Sequence, residues 1–262
     1  MRQAQQPVFR IVSIVIAAGL LIIPLTGWSA DLLLGLNATR DTVQRYDAKS
    51  GVYLGEAFSV PATNGSIFTS ELLADDNDRV YVSTGFNPDE VLRFNPLTGA
   101  LIDTFVADGS STLSNSSAVG RMAFGDDNHL YITSERTDEI LRFDGASGAF
   151  IDDFITAGSG GLDGPLDLLF NASGDLLVLA RSFDGNVTVL RYSGTNGAFA
   201  GTHINDPDLG AGNEMGIGPN GRLYISEIRS GSIRRYDAET GAFIDVFVDS
   251  RAGGLAAPRD LA

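Results

Sequence analysis

The sequence predicts an all-β fold, a β-propeller of four-stranded antiparallel blades. Three observations predict it: a supersecondary unit repeats five times at near-constant spacing, the same turn residues recur in every copy, and no run of helical period follows Ala30. The copies are TVQRYDAKSGVYLGEAF from Thr42, EVLRFNPLTGALIDTFV from Glu90, EILRFDGASGAFIDDFI from Glu139, TVLRYSGTNGAFAGTHI from Thr188 and SIRRYDAETGAFIDVFV from Ser232. Their arginines, Arg45, Arg93, Arg142, Arg191 and Arg235, are separated by 48, 49, 49 and 44 residues. Gly51, Gly99, Gly148, Gly197 and Gly241 keep the same register.

Each copy reads as two strands and a turn. EILRFD alternates between faces as a half-buried strand does, Asp144 to Gly148 turns, and AFIDDFI alternates again. The repeated glycine sits where a hairpin needs positive φ, which a Cβ makes costly. A second hairpin precedes each copy: ELLADDNDRVYVS from Glu71, RMAFGDDNHLYIT from Arg121, DLLFNASGDLLVL from Asp167 and EMGIGPNGRLYIS from Glu214. Turns such as Pro219-Asn220-Gly221 suit tight antiparallel connections. One unit is thus four strands in about 48 residues. Such a sheet cannot bury both apolar faces alone, and placing the units around an axis buries them against each other. A solenoid would need polar end caps, which neither end of the repeat array shows.

The repeat array opens at DLLLGLN, a second strand. It ends on Pro258-Arg259-Asp260-Leu261-Ala262, which matches Pro165-Leu166-Asp167-Leu168-Leu169, a first strand. The two ends therefore complete one blade and close a ring of five; the alternative is a sixth unit of which only the start is present. Within each blade the aromatics beside the arginines (Tyr46, Phe94, Phe143, Tyr192, Tyr236) are expected in the core. The arginines are expected to lie between blades and reach an Asp or a carbonyl of the next unit.

Residues 1–30 read as a secretory leader and 31–262 as one propeller domain. Arg2 and Arg10 precede an apolar run, Ile11 to Leu25, which is short for a bilayer span, and small residues follow it. Cleavage after Ser29 suits this pattern, an uncleaved anchor being the alternative, and either way the protein is expected in the periplasm or secreted. In a eukaryotic host the sequons at Asn37, Asn64, Asn115, Asn171 and Asn186 would carry glycans. With 18 basic residues against 33 acidic, a net charge of −15, nucleic acid and anionic membrane are poor partners. No Cys and only His129 and His203 remove thiol chemistry and multi-histidine metal centres.

The repeat pattern GPxDLxFxxxGxLYVS followed by VLRYDxxTGAFxxxFV resembles the NHL-type and related gluconolactonase-like and streptogramin-lyase-like propeller repeats of secreted bacterial proteins, over nearly the whole chain from Asp31. The resemblance implies the propeller fold. It leaves the activity open, since that group holds calcium- or zinc-dependent lactonases, lyases, and binding or scaffold modules. The lyases in it depend on histidines near the axis. His129, in a turn, and His203, in an outermost strand, are not placed to serve.

Aligned by the repeat, the innermost strands begin with Glu71, Arg121, Asp167, Glu214 and Asp260, four acids and one arginine around the axis. Carboxylates gathered this way suit Ca²⁺, so Glu71, Asp167, Glu214 and Asp260 are the candidate metal ligands, with pairing to Arg121 as the plain structural alternative. A second ring holds Asn37, Gly85, Glu135, Arg181 and Ile228, with Glu227 one position earlier. The acidic turns Asp75 to Asp78 and Gly125 to Asn128 lack EF-hand spacing and read as turn geometry. The Ser-rich stretch from Val106 to Ala118 is expected at a rim. From the residues, the expected function is a binding or interaction module without catalysis, taking a protein, glycan or small molecule at an axial face, with calcium a candidate cofactor. The alternative is a metal-dependent, lactonase-like hydrolase of a small lactone or ester.

Overall fold

The computed structural model describes residues 20–23, 32–37, 40–47, 50–61, 68–75, 77, 79–85, 89–110, 120–183, 185–250, 252–255 and 258. They build five four-stranded antiparallel sheets, one per blade. Blade one contains β1 (Leu20–Ile23), β2 (Leu32–Asn37), β3 (Thr42–Asp47) and β4 (Tyr53–Ser59). Blade two contains β5 (Phe68–Ala74), β6 (Val80–Gly85), β7 (Val91–Phe94) and β8 (Leu101–Val106). Blade three contains β9 (Met122–Phe124), β10 (Leu130–Ser134), β11 (Glu139–Phe143) and β12 (Phe150–Ile155). Blade four contains β13 (Pro165–Phe170), β14 (Leu176–Arg181), β15 (Val187–Tyr192) and β16 (Phe199–Ile204). Blade five contains β17 (Gly212–Ile217), β18 (Arg222–Glu227), β19 (Ser232–Asp237) and β20 (Phe243–Val248). Among the described residues no helix is long and apolar enough to cross a membrane.

The repeated turn forms as the sequence requires. In blade three the Asp144 N–H donates to the Ala149 carbonyl at 2.8 Å and the Gly148 N–H to the Asp144 carbonyl at 2.7 Å. The Asp144 carboxylate accepts the Ser147 N–H at 2.8 Å. Gly148 has φ 72°, and its four counterparts lie between 69° and 71°. It also lies against the preceding blade, because a Cβ there would stand 1.7 Å from the Phe105 carbonyl oxygen.

Side chains from facing sheets form a separate core at each of four interfaces. Leu34, Phe58, Val82 and Phe94 join blades one and two. Tyr81, Phe105, Met122 and Phe143 join two and three. Tyr131, Phe154, Leu168 and Tyr192 join three and four, and Leu177, Ile204, Leu223 and Tyr236 join four and five. Phe94, Phe143, Tyr192 and Tyr236 are buried as expected, whereas Tyr46 is half-buried. Among the described residues no such core joins blade five to blade one.

Two details differ from the sequence reading. The repeated arginines stay within their own blade: Arg93, Arg142 and Arg235 pair with Asp103, Asp152 and Asp245 at 2.5, 2.6 and 2.5 Å, each one strand outward. Directly opposed residues on adjacent strands meet more readily than residues across an interface already filled by aromatic rings. The innermost place of blade one, assigned from sequence to the C-terminal segment, is held by β1, with Leu20 opposite Gly35 and Ile23 opposite Leu32. A partner a few residues away along the chain closes a far shorter loop than one at its opposite end. Arg259 to Ala262 lie outside the described residues, as do the sequons at Asn64 and Asn115, most of the Ser-rich stretch, and Asp76 and Asp78 of the first acidic turn.

Candidate functional site

The axial mouth is built by the innermost strands. In blades two, four and five the register slips just before the acid, between Thr69 and Glu71, Pro165 and Asp167, and Gly212 and Glu214. A bulge of this kind re-aims the side chain that follows it. Two of the three acids then reach sideways. Glu71 Oε2 accepts the Met122 N–H of blade three at 2.5 Å, and Asp167 Oδ2 accepts the Met215 N–H of blade five at 2.6 Å. Asp167 Oδ1 accepts the Leu168 N–H at 2.8 Å. These carboxylates staple β5 to β9 and β13 to β17.

The acid of the fifth blade also reaches across the axis. Glu214 Oε2 accepts a hydrogen bond from Arg121 Nη2 at 2.7 Å, joining blades five and three, which are not neighbours in the ring. The pair spans the mouth. Its side chains are 9% and 18% exposed, so the charges face each other in a space with little water. The Arg121 N–H donates to Thr133 Oγ1 at 2.9 Å, which fixes the arginine at its base. Farther out, Arg181 and Glu135 of the second ring meet at 3.5 Å. Glu227 is held within its own blade, accepting from the Gly210 N–H at 3.2 Å and from Ser230 Oγ at 2.5 Å.

Of the four candidate metal ligands, the structure places Glu71, Asp167 and Glu214 at the mouth, where Glu71 Oε2, Glu214 Oε2 and both oxygens of Asp167 accept N–H donors. Asp260 lies outside the described residues. Among the described residues no group of three or more acidic, histidine or cysteine side chains gathers as a metal would need. The plain alternative, Arg121 paired with an acid, is what forms.

A second concavity of about 540 Å³ opens at the ends of the innermost strands in blades two, three and four, lined by Leu73, Asp75, Arg79, Phe124, Asn128 and Leu168. Burial works against ionisation of Asp75, but hydrogen bonds from Arg79, Tyr81 and Asn77 hold its carboxyl below the usual range. Tyr131 in the next blade donates to Asp127 at 2.8 Å, and burial with that carboxylate pushes its phenol up to about 12. The acidic turns thus hold hairpins and buried tyrosines. Asn171 is buried, its Oδ1 accepting the Asp175 N–H at 2.8 Å, which is a structural use of that sequon position.

Sequence reasoning missed two things here. The cross-axis geometry of Arg121 and Glu214 could not be read from repeat alignment, which places residues at equivalent heights without saying which pairs meet. The buried cluster of Arg234 with Asp206 at 2.8 Å, and of Asp206 with the Tyr236 hydroxyl at 2.8 Å, was signalled by one departure from the repeat. Arg234 stands where the other copies carry Gln44, Leu92, Leu141 and Leu190.

No family model matches the chain, and no curated protein matches it. Solved structures do. A Bacteroides caccae protein of unknown function aligns with TM-score 0.59 at 13% identity, over 87% of this chain and 81% of that one. PQQ-bound aldose sugar dehydrogenase of Streptomyces coelicolor aligns with TM-score 0.60 at 18% identity, over 88% and 81%. Virginiamycin B lyase of Staphylococcus aureus aligns with TM-score 0.52 at 14% identity, over 84% and 67%. The chain is a five-bladed β-propeller, and its fold is related to that of streptogramin-lyase-like and PQQ-dehydrogenase-like propellers. These neighbours correct the expectation of a module without catalysis, since two of them are enzymes. Neither histidine of this chain lies at the mouth: His203 is on β16, the outermost strand of blade four, and His129 lies in the turn immediately before β10.

Proposed function

We propose that the protein is an exported propeller hydrolase that opens a small lactone or ester at the axial mouth, with Arg121 and Glu214 as the working pair. The observation that carries this reading is their contact at 2.7 Å across the mouth, with little exposure of either group. The enzymatic character of two propellers of the same build supports it, and the leader pattern supports export.

In this reading Arg121 donates to the substrate carbonyl oxygen and stabilises the oxyanion as it forms, which a low-dielectric site makes more effective than water does. Glu214 takes a proton from a water as that water's oxygen bonds to the carbonyl carbon, and returns it to the alkoxide released when the ester C–O bond breaks.

The test is initial-rate hydrolysis of γ-butyrolactone, an acyl homoserine lactone and p-nitrophenyl acetate by the purified protein. We expect turnover of at least one, unaffected by EDTA, to fall about 100-fold or more in Glu214→Gln. Arg121→Met should lower it about as much. Asp152→Asn, in an outer ion pair, should leave the rate unchanged. No hydrolysis across the set, or a Glu214→Gln variant as active as the parent, rejects the proposal.

A further inference from the structure

We propose that the outer groove between blades four and five is a second ligand site, shaped for one ring of a neutral sugar. It is a cavity of about 300 Å³ lined by Asn205, Asp206, Asp208, Arg234, Tyr236 and Phe243. Asn205 to Asp208 follow β16, the outermost strand of blade four, and Phe243 opens β20, the outermost strand of blade five. The cavity therefore lies at the circumference of the ring, away from the axial mouth.

The first observation is a charge where the repeat puts an apolar side chain. Arg234 is 8% exposed and stands in the place of Leu92, Leu141 and Leu190. A buried ion pair adds little stability over the leucine it replaces, so packing does not account for it. The guanidinium is locked in place. Its Nε donates to the Tyr236 hydroxyl at 3.1 Å, Nη2 donates to Asp206 Oδ2 at 2.8 Å, and its central carbon lies 4.8 Å from the Phe243 ring centroid. Nη1 has no hydrogen-bond partner among the described residues.

The second observation is the linker that enters the groove. In blade four the Tyr192 hydroxyl donates to the Ser159 carbonyl at 2.7 Å, and the glycine turn lies on Phe199, so close that a Cβ on Gly160 would stand 2.1 Å from its ring. In blade five the matching hydroxyl, that of Tyr236, donates to the Asp206 carboxylate at 2.8 Å instead. Asp206 Oδ1 accepts the Asp208 N–H at 3.0 Å, and the Asp208 side chain, 3.8 Å from Arg234, is 81% exposed. Phe243 is half exposed.

The ligand class follows from these groups. Two carboxylates against one guanidinium disfavour an anion. The walls offer a fixed donor in Arg234, an acceptor in Asp208 and an amide in Asn205 that does both, beside an aromatic ring. A pyranose matches them, because its hydroxyls donate and accept at once and its C–H face packs on an aromatic ring. Polar groups already held in position lower the ordering cost of binding.

The test is ligand-detected saturation-transfer NMR with calorimetry on the full chain, using glucose, galactose, mannose and N-acetylglucosamine, and it needs no turnover. At least one sugar should bind. Asp208→Ala, which changes an exposed side chain and leaves the fold intact, should weaken binding about tenfold or more. Phe243→Ala should weaken it about as much. Phe199→Ala, at the same register in blade four, and Glu214→Gln, in the mouth, should bind as the parent does. No binding of any of the four sugars, a loss in Phe199→Ala equal to that in Phe243→Ala, or a loss in Glu214→Gln overturns the proposal.

Discussion

Four interfaces of this ring and its fifth seam are made from the same repeat, yet they differ in nearly every measure of packing. At the interface of blades two and three, Phe105 is buried, the Arg93 guanidinium lies 4.7 Å from its ring centroid, and a Cβ on Gly148 would collide with the Phe105 carbonyl. At the seam, Phe247 carries the same stacked arginine, Arg235 at 4.9 Å, but half its surface is exposed. Gly51, the seam counterpart of Gly148, has the same positive φ and nothing within 4 Å of its Cβ position. The repeat therefore specifies each blade's internal structure, while burial between blades differs from one interface to the next.

Phe154→Ala should cost about 3–5 kcal/mol in urea unfolding, as a buried ring in a close-packed core does. Phe247→Ala, the same position at the seam, should cost about 0.5 kcal/mol. Equal losses would mean that the seam is packed after all. Gly51→Ala should cost about 1–2 kcal/mol for its left-handed backbone alone. Gly148→Ala should cost a further 1–3 kcal/mol or so, because the added methyl must displace the neighbouring strand.

The smallest expected effect lies in blade four, where His203 replaces the repeated phenylalanine. Burial and then the charge of Arg191 push its pKa below 6.5. The unfolded chain thus binds a proton that the folded one resists, and stability should decline as pH falls below 6.5 toward the lowered folded value. His203→Phe, which restores the residue of blades two, three and five, should remove this step from thermal melts taken across that range. A further loss below pH 3.8 should remain in both proteins: burial opposes ionisation of Asp206, but hydrogen bonds from Tyr236 and the charge of Arg234 hold its carboxyl low.

Much of the architecture was legible because the repeat writes it several times. Alternation in EILRFD and its copies, and a glycine at one fixed offset, specify strands and turns that depend on neighbours a few residues away. The arginine partners were misplaced because a strand pattern tells which face a residue takes and not which of two nearby acids it meets. The resemblance to lyase-like and lactonase-like propeller repeats was legible, but the activity was not, since repeated core residues carry packing and no chemistry. Glu71, Arg121, Asp167 and Glu214 were found as a ring by alignment alone. Their division into two inter-blade staples and one cross-axis pair depends on bulges that no residue type announces.

Hydrogen exchange of the full chain, read strand by strand, tests the central contrast most directly. Amides of β10, β14 and β15, enclosed by filled interfaces on both sides, should exchange only through global unfolding. Those of β3, β4, β19 and β20 should open sub-globally and exchange orders of magnitude sooner. Uniform protection across all five blades would contradict the account.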